Sequence, residues 1–344
     1  MNLPSLDSAN VRGKRVFLRC DFDAPIVDGQ IQDDSRLVAS ISIIEYLLEQ
    51  GATVIAAGHL GRPEKFDEKL SLFPIAKWFA QEFGTEAKQT HVEGLSGWKL
   101  KENLFILENL RFDPGEEAND SNFAHKLAYG VDIYINEAFA SSHRLHASIV
   151  ALPQLLPHYA GFHFQKEVKV LSSLVDSPKR PLSVIVGGAK IETKLPLISK
   201  MHRFADYVLV GGELAENDKE LASVAHQKLI DKKSVLLVAD LTTDKKDITK
   251  HSIQNFTQIV NNSATVVWNG PMGEFEKHFD LGTREIAEAI SSSSAYSVVG
   301  GGDTVSFLSK EGLLSKFSFV STGGGAMLQF LSGESLPGIL ALQS

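Results

Sequence analysis

A single cysteine, Cys20, stands among 344 residues, which excludes an internal disulfide and any cysteine cluster for a metal. No apolar run is long enough to span a bilayer, and the opening MNLPSLDSANVRGKR lacks the apolar stretch of a signal peptide. A cytoplasmic protein with no membrane attachment is therefore expected. The sequence holds no HExxH, no GxxxxGK[ST] and no GxGxxG, so it lacks a zincin helix and a P-loop, and a dinucleotide dehydrogenase is disfavoured. Basic residues are outnumbered, 34 Lys and Arg against 42 Asp and Glu, and the net charge of -8 argues against a nucleic-acid partner. Solenoid repeats and low-complexity tracts are missing too. What remains is an ordinary globular composition, 43% hydrophobic and 22% charged, in a chain too long for one core, so two domains are expected.

In the first half, strand-like runs at 14–20, 53–57, 104–107 and 131–135 alternate with stretches of helical period, the pattern of a parallel sheet covered by helices. Leu37, Ile41, Ile44 and Leu48 recur at helical spacing, with Asp33, Asp34 and Ser35 before them and Gly51 after. A second amphipathic helix is expected over 165–176, with Val168, Leu171 and Val175 on one face, and the prolines of SPKRP follow it at 177–181. The second half carries six β-branched runs that stop at glycines or small polar residues: SVIVGGAK, YVLVGG, VLLVAD, TVVWNGPMG, YSVVGGGDT and FVSTGGGA. A glycine turn between strand and helix admits a ligand to bare backbone, and the helix beyond aims its unpaired N–H groups and positive dipole end at that ligand. Several such turns on one sheet edge suit a polyphosphate. The expected fold class is α/β: two doubly wound, Rossmann-like parallel-sheet domains joined by a connecting helix.

The chemistry-bearing residues of the first half follow its strands. Asp21 and Asp23 come after the first, His59 and Arg62 after the second, Arg111 after the third, and His143, Arg144 and His146 after the fourth, while Arg36 opens the first helix. Strands sharing a direction deliver their following loops to one edge, so Arg36, Arg62, Arg111 and Arg144 are expected to converge there. Each alone reads as a solvated surface arginine; together they read as a receptor for a small anion, since the planar guanidinium grips carboxylate or phosphate at two points. His143 and His146 have no companion ligands for a metal and are read as donors to an oxyanion. In GGAKIETK, Lys190 and Lys194 fall four apart, on one face of an expected first helical turn. Asp303, after three glycines, has two readings that do not exclude each other: an N-cap, or a carboxylate for a magnesium ion bridging nucleotide phosphates.

These residues stand in stretches that resemble the phosphoglycerate kinase family over nearly the whole chain. They are DFDAPIVDGQIQDDSR (21–36), GHLGRP (58–63), ENLRFDPGEE (108–117), NEAFASSHRLHAS (136–148), GGAKIETK (187–194), VVWNGPMGEFE (266–276), GGGDT (300–304), STGGGA (321–326) and LPGILAL (336–342). The resemblance implies a phosphoglycerate-binding domain over 1–160 with the tail 330–344 packed back on it, a connecting helix and hinge over 161–178, and a nucleotide-binding domain over 179–329. It implies reversible, magnesium-dependent phosphoryl transfer between 1,3-bisphosphoglycerate and ADP, giving 3-phosphoglycerate and ATP, in a monomer whose lobes close on their substrates. Carried over motif by motif, Asp21, Phe22, Asp23, Arg36, His59, Leu60, Gly61, Arg62, Arg111, His143 and Arg144 would bind phosphoglycerate. Lys190, Lys194, Glu276, Gly301, Gly302, Asp303 and Thr304 would bind ADP or ATP, with Asp303 holding Mg2+. Arg36, Lys190, Gly301 and Gly324 would surround the phosphoryl group in flight.

The chain departs from the family pattern in places. Asp23 stands where the family has Asn, which should weaken anion binding unless an arginine neutralises it. Thr193 replaces an acidic residue before Lys194, Glu213 interrupts a triple glycine, Thr249 and Lys250 replace a Gly-Pro pair, and the segment between Glu213 and Trp268 is shortened. All but the first fall in the nucleotide half. They motivate two other readings: a phosphoglycerate-binding homologue acting as sensor or scaffold, which predicts weak Mg-ADP binding, and a dinucleotide oxidoreductase, for which the phosphate fingerprint is missing.

Overall fold

A computed structural model describes residues 3–189, 191–225 and 234–344. The chain divides into two compact units, Met1–Lys169 with Ser335–Ser344, and Val170–Glu334. Among the described residues, no helix is long and apolar enough to cross a membrane.

The first unit is built on a seven-stranded sheet in the order Lys88–Val92, Leu95–Lys101, Leu104–Leu107, Thr53–Ala57, Arg15–Arg19, Ile133–Asn136, His158–Ala160. The last five are parallel and the first two run antiparallel along one edge. Val16, opposite Val54 and Ile133, is fully buried, as are Phe17 and Leu18. Burial on both faces is why this strand reads as a continuous apolar run instead of an alternating one. The edge hairpin turns at Glu93 (φ 51°) and Gly94 (φ 83°), two left-handed residues whose twist suits a two-residue hairpin loop.

The helix Ser35–Glu49 buries Leu37, Ser40, Ile43, Ile44 and Leu47, so the stripe facing the core is rotated from the expected one and leaves Ile41 and Leu48 half-buried. The second expected helix spans Phe162–Asp176, starting three residues early because the Glu137 carboxylate accepts from the N–H groups of His163 (2.9 Å) and Phe164 (3.3 Å). It buries Phe164, Val168, Leu171 and Leu174, whereas Val175 is 40% exposed. Leu174 takes the place expected of Val175, because it lies three residues from Leu171 on the covered face. The tail returns to the first unit, where Gly338 N–H donates to the Ser142 carbonyl (2.8 Å).

The second unit has six parallel strands ordered Val235–Val238, Tyr207–Val210, Leu182–Val186, Thr265–Asn269, Tyr296–Gly300, Phe319–Ser321. Numbered along the chain this is the doubly wound order 3-2-1-4-5-6, and the five parallel strands of the first unit read 3-2-1-4-5. Each sheet therefore reverses its strand order once, beside Arg15–Arg19 in the first unit and beside Leu182–Val186 in the second. Among the described residues, α-helices open directly on the glycines at Gly302–Lys310 and Gly324–Leu331, the α-helix Ile191–Phe204 follows the first run, and a short 3-10 helix, Gly212–Glu216, opens on the glycines of the second. After Val235–Val238 and Thr265–Asn269 the chain runs on to Lys250 and Leu281 before an α-helix begins, the second stretch passing through a 3-10 turn at Phe275–Lys277.

Candidate active site

At the carboxyl edge of the first sheet, the loops after four parallel strands bring the predicted charged residues together. Arg36 Nη1 lies 3.1 Å from Asp21 Oδ2, with Asp21 almost fully buried. Asp23 Oδ1 accepts from Gly61 N–H (2.9 Å), and its other oxygen is 3.9 Å from His59 Nε2. The carboxylate at this departure from the family thus holds the following loop. Gly61 has a φ of 62° and presses so closely on Leu70 that a Cβ would come within 2.8 Å of it. Arg111 donates to the Gly61 carbonyl and pairs with Glu117 (3.1 Å). Its Nη2 is buried without a hydrogen-bond partner among the described residues, a donor a bound anion would satisfy. Arg62 is exposed, and His143 and Arg144 are half-buried. Phe22 is fully buried against Phe79 in the hydrophobic core, and Leu60 is buried beside it, so these two can offer a ligand only backbone.

Crowded cations set the electrostatics. Burial, then the neighbouring Arg144, pushes Arg111 down to about 10, and burial followed by Arg62 lowers Arg144. Burial and then Arg144 hold His143 down to about 4, burial and then Arg111 hold His146 down to about 3, and burial and then Arg19 hold His59 well below its ordinary value. All three histidines are neutral at pH 7, so His146 makes no ion pair with Glu116 despite the 3.8 Å separation. The site collects permanent guanidinium charge that an anion would neutralise.

A stability prediction follows from the same shifts. The unfolded histidines take up protons near pH 6.5 while the folded ones do not, so their contribution is complete above pH 6.5 and is lost as pH falls through about 4 for His143 and about 3 for His146. Glu137 opposes this: burial raises its carboxyl to about 7, so the folded protein gains as pH falls from 7 towards 4.5. Asp247, also raised by burial, opposes it in the same sense, and three histidines outweigh the two carboxyls. The urea midpoint should fall steadily below pH 6.5, with each histidine contributing a slope of at most about 1.4 kcal/mol per pH unit. A midpoint flat from pH 7 to 5 would contradict the histidine assignments.

In the second unit the glycine turns divide into two kinds. Gly187, Gly212 and Gly270 pack backbone against backbone: a Cβ on Gly270 would come within 2.2 Å of the Gly187 carbonyl oxygen, and one on Gly212 within 2.7 Å of Gly188 N. Their absent side chains are required by the loops themselves. Gly302 and Gly325, on the first turns of their helices, have no atom within 4 Å of an added Cβ and no left-handed φ. Neither close packing nor a left-handed φ requires glycine at these two positions. Gly302→Ala should keep or raise stability by up to ~1 kcal/mol, since alanine favours a helix, while affinity for ADP, the nucleotide the resemblance leads one to expect, should fall about tenfold if Gly302 offers it backbone contact. Calorimetry of folding and of ADP binding would separate the two effects.

Lys194 lies on the first turn of Ile191–Phe204 and reaches back to donate to the Gly187 carbonyl. Lys190 is outside the described residues, as is the segment 226–233. Asp303 is exposed on the first turn of Gly302–Lys310 but makes no capping bond; Gly301 (φ 100°) is the N-cap. The capping reading of Asp303 is thereby corrected: Gly301 occupies the cap two positions before it. Thr304 is fully buried, and its hydroxyl accepts from Gly270 N–H (2.9 Å), joining two loops of the site. Gly324 packs on Gly301, where a Cβ would approach Gly301 Cα to 2.7 Å, and its carbonyl accepts from Asn269 (3.1 Å). Thr249 is an ordinary N-cap accepting from Ser252 N–H (3.3 Å), so the helix Lys250–Asn261 starts without the Gly-Pro pair. Sequence reading missed Asp247, a buried carboxylate accepting from Gly282 N–H (3.0 Å) and Ile248 N–H (2.8 Å).

A cavity of about 420 Å3 adjoins these turns, lined by Gly188, Gly212, Glu213, Glu216, Asp244, Lys245, Lys246, Glu274, Glu276 and Asp303 among others. A larger one in the first unit, about 940 Å3, lies against the antiparallel edge beside Phe66, Phe73, Trp98 and Phe112 and is lined by none of the predicted substrate residues. Among the described residues, no group of three or more His, Cys, Asp or Glu could hold a metal by itself.

Comparison with known proteins agrees with the geometry. A family model described as phosphoglycerate kinase matches residues 6–246 and 218–334. A phosphoglycerate kinase of Wolbachia sp. subsp. Brugia malayi is 37% identical, with 100% of this chain and 99% of that protein covered. One from Prochlorococcus marinus is 38% identical over 99% and 98%. Among solved structures, phosphoglycerate kinase from Coxiella burnetii aligns with a TM-score of 0.80 at 30% identity, covering 99% of each chain. The enzyme from Pyrococcus horikoshii aligns with a TM-score of 0.81 at 29% identity, over 99% of this chain and 98% of that one.

Proposed function

The chain belongs to the phosphoglycerate kinase family, and from that premise we propose how its own residues carry out the reaction. The activity is phosphoryl transfer between 1,3-bisphosphoglycerate and ADP, a step of glycolysis, with a nucleotide as one substrate. The observation that carries the reading is the anion receptor of the first unit: guanidinium groups gathered at the strand-order reversal of a doubly wound sheet, with one buried donor of Arg111 unpaired among the described residues.

In this proposal Arg62, Arg111 and Arg144 hold the phosphate of phosphoglycerate, with Asp21, Asp23 and His59 fixing the glycerate, and Arg36 faces the carboxylate that attacks. That carboxylate is ionised at neutral pH, so no general base is needed, and the neutral histidines act as hydrogen-bond donors. The phosphoryl group in flight spreads its charge over equatorial oxygens, which the protein must position and stabilise. Arg36 and the N–H groups opening Gly302–Lys310 and Gly324–Leu331 supply the opposing positive charge, joined on the family resemblance by Lys190, while Lys194 is assigned to the nucleotide. Glu276 is assigned to the ribose.

The lining of the 420 Å3 cavity fits magnesium. Six carboxylates there, Glu213, Glu216, Asp244, Glu274, Glu276 and Asp303, face two lysines, Lys245 and Lys246, a balance unsuited to a bare polyphosphate. Asp303 would hold the ion, which takes one or two carboxylates plus phosphate oxygens and would neutralise phosphate charge. Because acceptor and donor sites are assigned to different units, we place the conformational step that unites them in the helix Phe162–Asp176, where the division between units falls.

The test is the rate of 1,3-bisphosphoglycerate formation from 3-phosphoglycerate and Mg-ATP, with Asp303→Ala as control for a contaminating host enzyme. Turnover that the substitution abolishes is expected. Folded protein that binds 3-phosphoglycerate without turnover would instead support the sensor reading.

A further inference from the structure

Behind the substrate arginines, Arg19, Ser148 and Glu116 form a buried polar chain that none of the site assignments uses. Arg19, the last residue of the strand Arg15–Arg19, is fully buried. Its Nε donates to Ser148 Oγ (2.8 Å), its Nη1 to the Cys20 carbonyl, and its Nη2 meets His59 Nδ1 at 3.0 Å. Ser148 in turn donates through Oγ (2.6 Å) and its backbone N–H (2.9 Å) to the two oxygens of Glu116, which is also fully buried. The chain of donors fixes its own polarity. A guanidinium has only N–H donors and no lone pair to accept with, so the ring atom it meets must be the unprotonated nitrogen. Glu116 supplies the counter-charge that a guanidinium this deeply buried requires.

We propose that Arg19, anchored through Ser148 on Glu116, is a positioning residue that locks His59 in its Nε2–H tautomer, so that His59 meets an anionic substrate group as a neutral donor. The proposal rests on the assignment of His59 to the phosphoglycerate site. It gives His59 one role across the working pH range, since burial and then the charges of Arg19, Arg111 and Arg144 oppose a second proton on the ring, while Asp23, 3.9 Å from Nε2, favours one. It also accounts for a charged pair kept in the interior at a cost: an unlocked imidazole could turn its lone pair towards the anion and repel it.

The test is a long-range proton–nitrogen spectrum of the whole protein labelled with 15N-histidine, the His59 signals being identified by their loss in His59→Gln. A single Nε2–H tautomer, unchanged from about pH 5.5 to 8.5, is expected. An Nδ1–H form, a mixture, or a titration midpoint in that range would overturn the lock, and the tautomer itself is read on the wild-type protein. Ser148→Ala and Arg19→Lys should then give mixed tautomers, with KM for 3-phosphoglycerate raised roughly tenfold, the worth of one hydrogen bond, and KM for the nucleotide unchanged. An unaltered tautomer in both folded variants would overturn the role of Arg19. Released tautomers with an unchanged KM would leave the lock standing but remove His59 from the substrate site.

Discussion

Arg36→Ala should lower kcat for phosphoryl transfer by roughly 10²–10³, the usual cost of deleting one preorganised donor to developing charge. Two effects combine in that loss. The guanidinium assigned to the charge in flight disappears, and Asp21, 3.1 Å away and nearly buried, becomes an unpaired carboxylate facing an anionic substrate. Repulsion from Asp21 should therefore raise KM for 3-phosphoglycerate as well, while ADP binding stays at the wild-type value. Arg36→Lys separates the contributions: an ammonium can still neutralise Asp21 but lacks the planar fork, so it should recover much of KM and little of kcat. Steady-state kinetics in both substrates, with calorimetric ADP titration, checks this. A variant with kcat within threefold of wild type would sink the assignment of Arg36 to the transferring group.

The sequence carries this fold clearly where burial and backbone sterics decide locally. The central parallel strands are covered on both faces, so they stand out as apolar runs, and the doubly wound class follows from their alternation with helices. The antiparallel pair Lys88–Val92 and Leu95–Lys101 escaped notice because its outer strand is polar and exposed, and because its turn is Glu93–Gly94 in place of the more familiar Asn-Gly. Residue roles were less legible than positions. The loops after the strands supply the arginines as the motif order suggests, but only the packing shows that Phe22 faces the core or that Gly301 leaves Asp303 uncapped.

Arg19, Ser148 and Glu116 were invisible for a different reason. The sequence separations between Arg19 and Ser148, 129 residues, and between Ser148 and Glu116, 32 residues, leave no periodicity for a sequence reading to detect. Two of them were present inside motif stretches, Glu116 in ENLRFDPGEE and Ser148 in HRLHAS, and a buried acid beside a family motif was the available signal.

Asp303→Ala should reduce kcat/KM for Mg-ATP at least 100-fold, comparable with losing an electrostatic contact to the transferring group, and should leave the fold almost untouched. The contrast decides between the two readings of the residue. As an N-cap, Asp303 would lose about 1 kcal/mol on truncation and show no altered magnesium dependence. Its side chain makes no such bond, the cap being Gly301, so only a weak helix-dipole contribution of ~0.3–1 kcal/mol is at risk. As the carboxylate for magnesium, it should instead raise the Mg2+ concentration needed for half-maximal ADP binding, and Asp303→Asn, which keeps the shape and removes the charge, should do the same. Because five further carboxylates line the same cavity against two lysines, ADP should bind poorly to wild type without the metal, and removing Mg2+ with a chelator should mimic the substitution. Magnesium titrations of ADP binding in wild type and both variants would show it. Parallel curves for all three proteins, with turnover intact, would return Asp303 to an ordinary surface carboxylate and require another group to meet the metal.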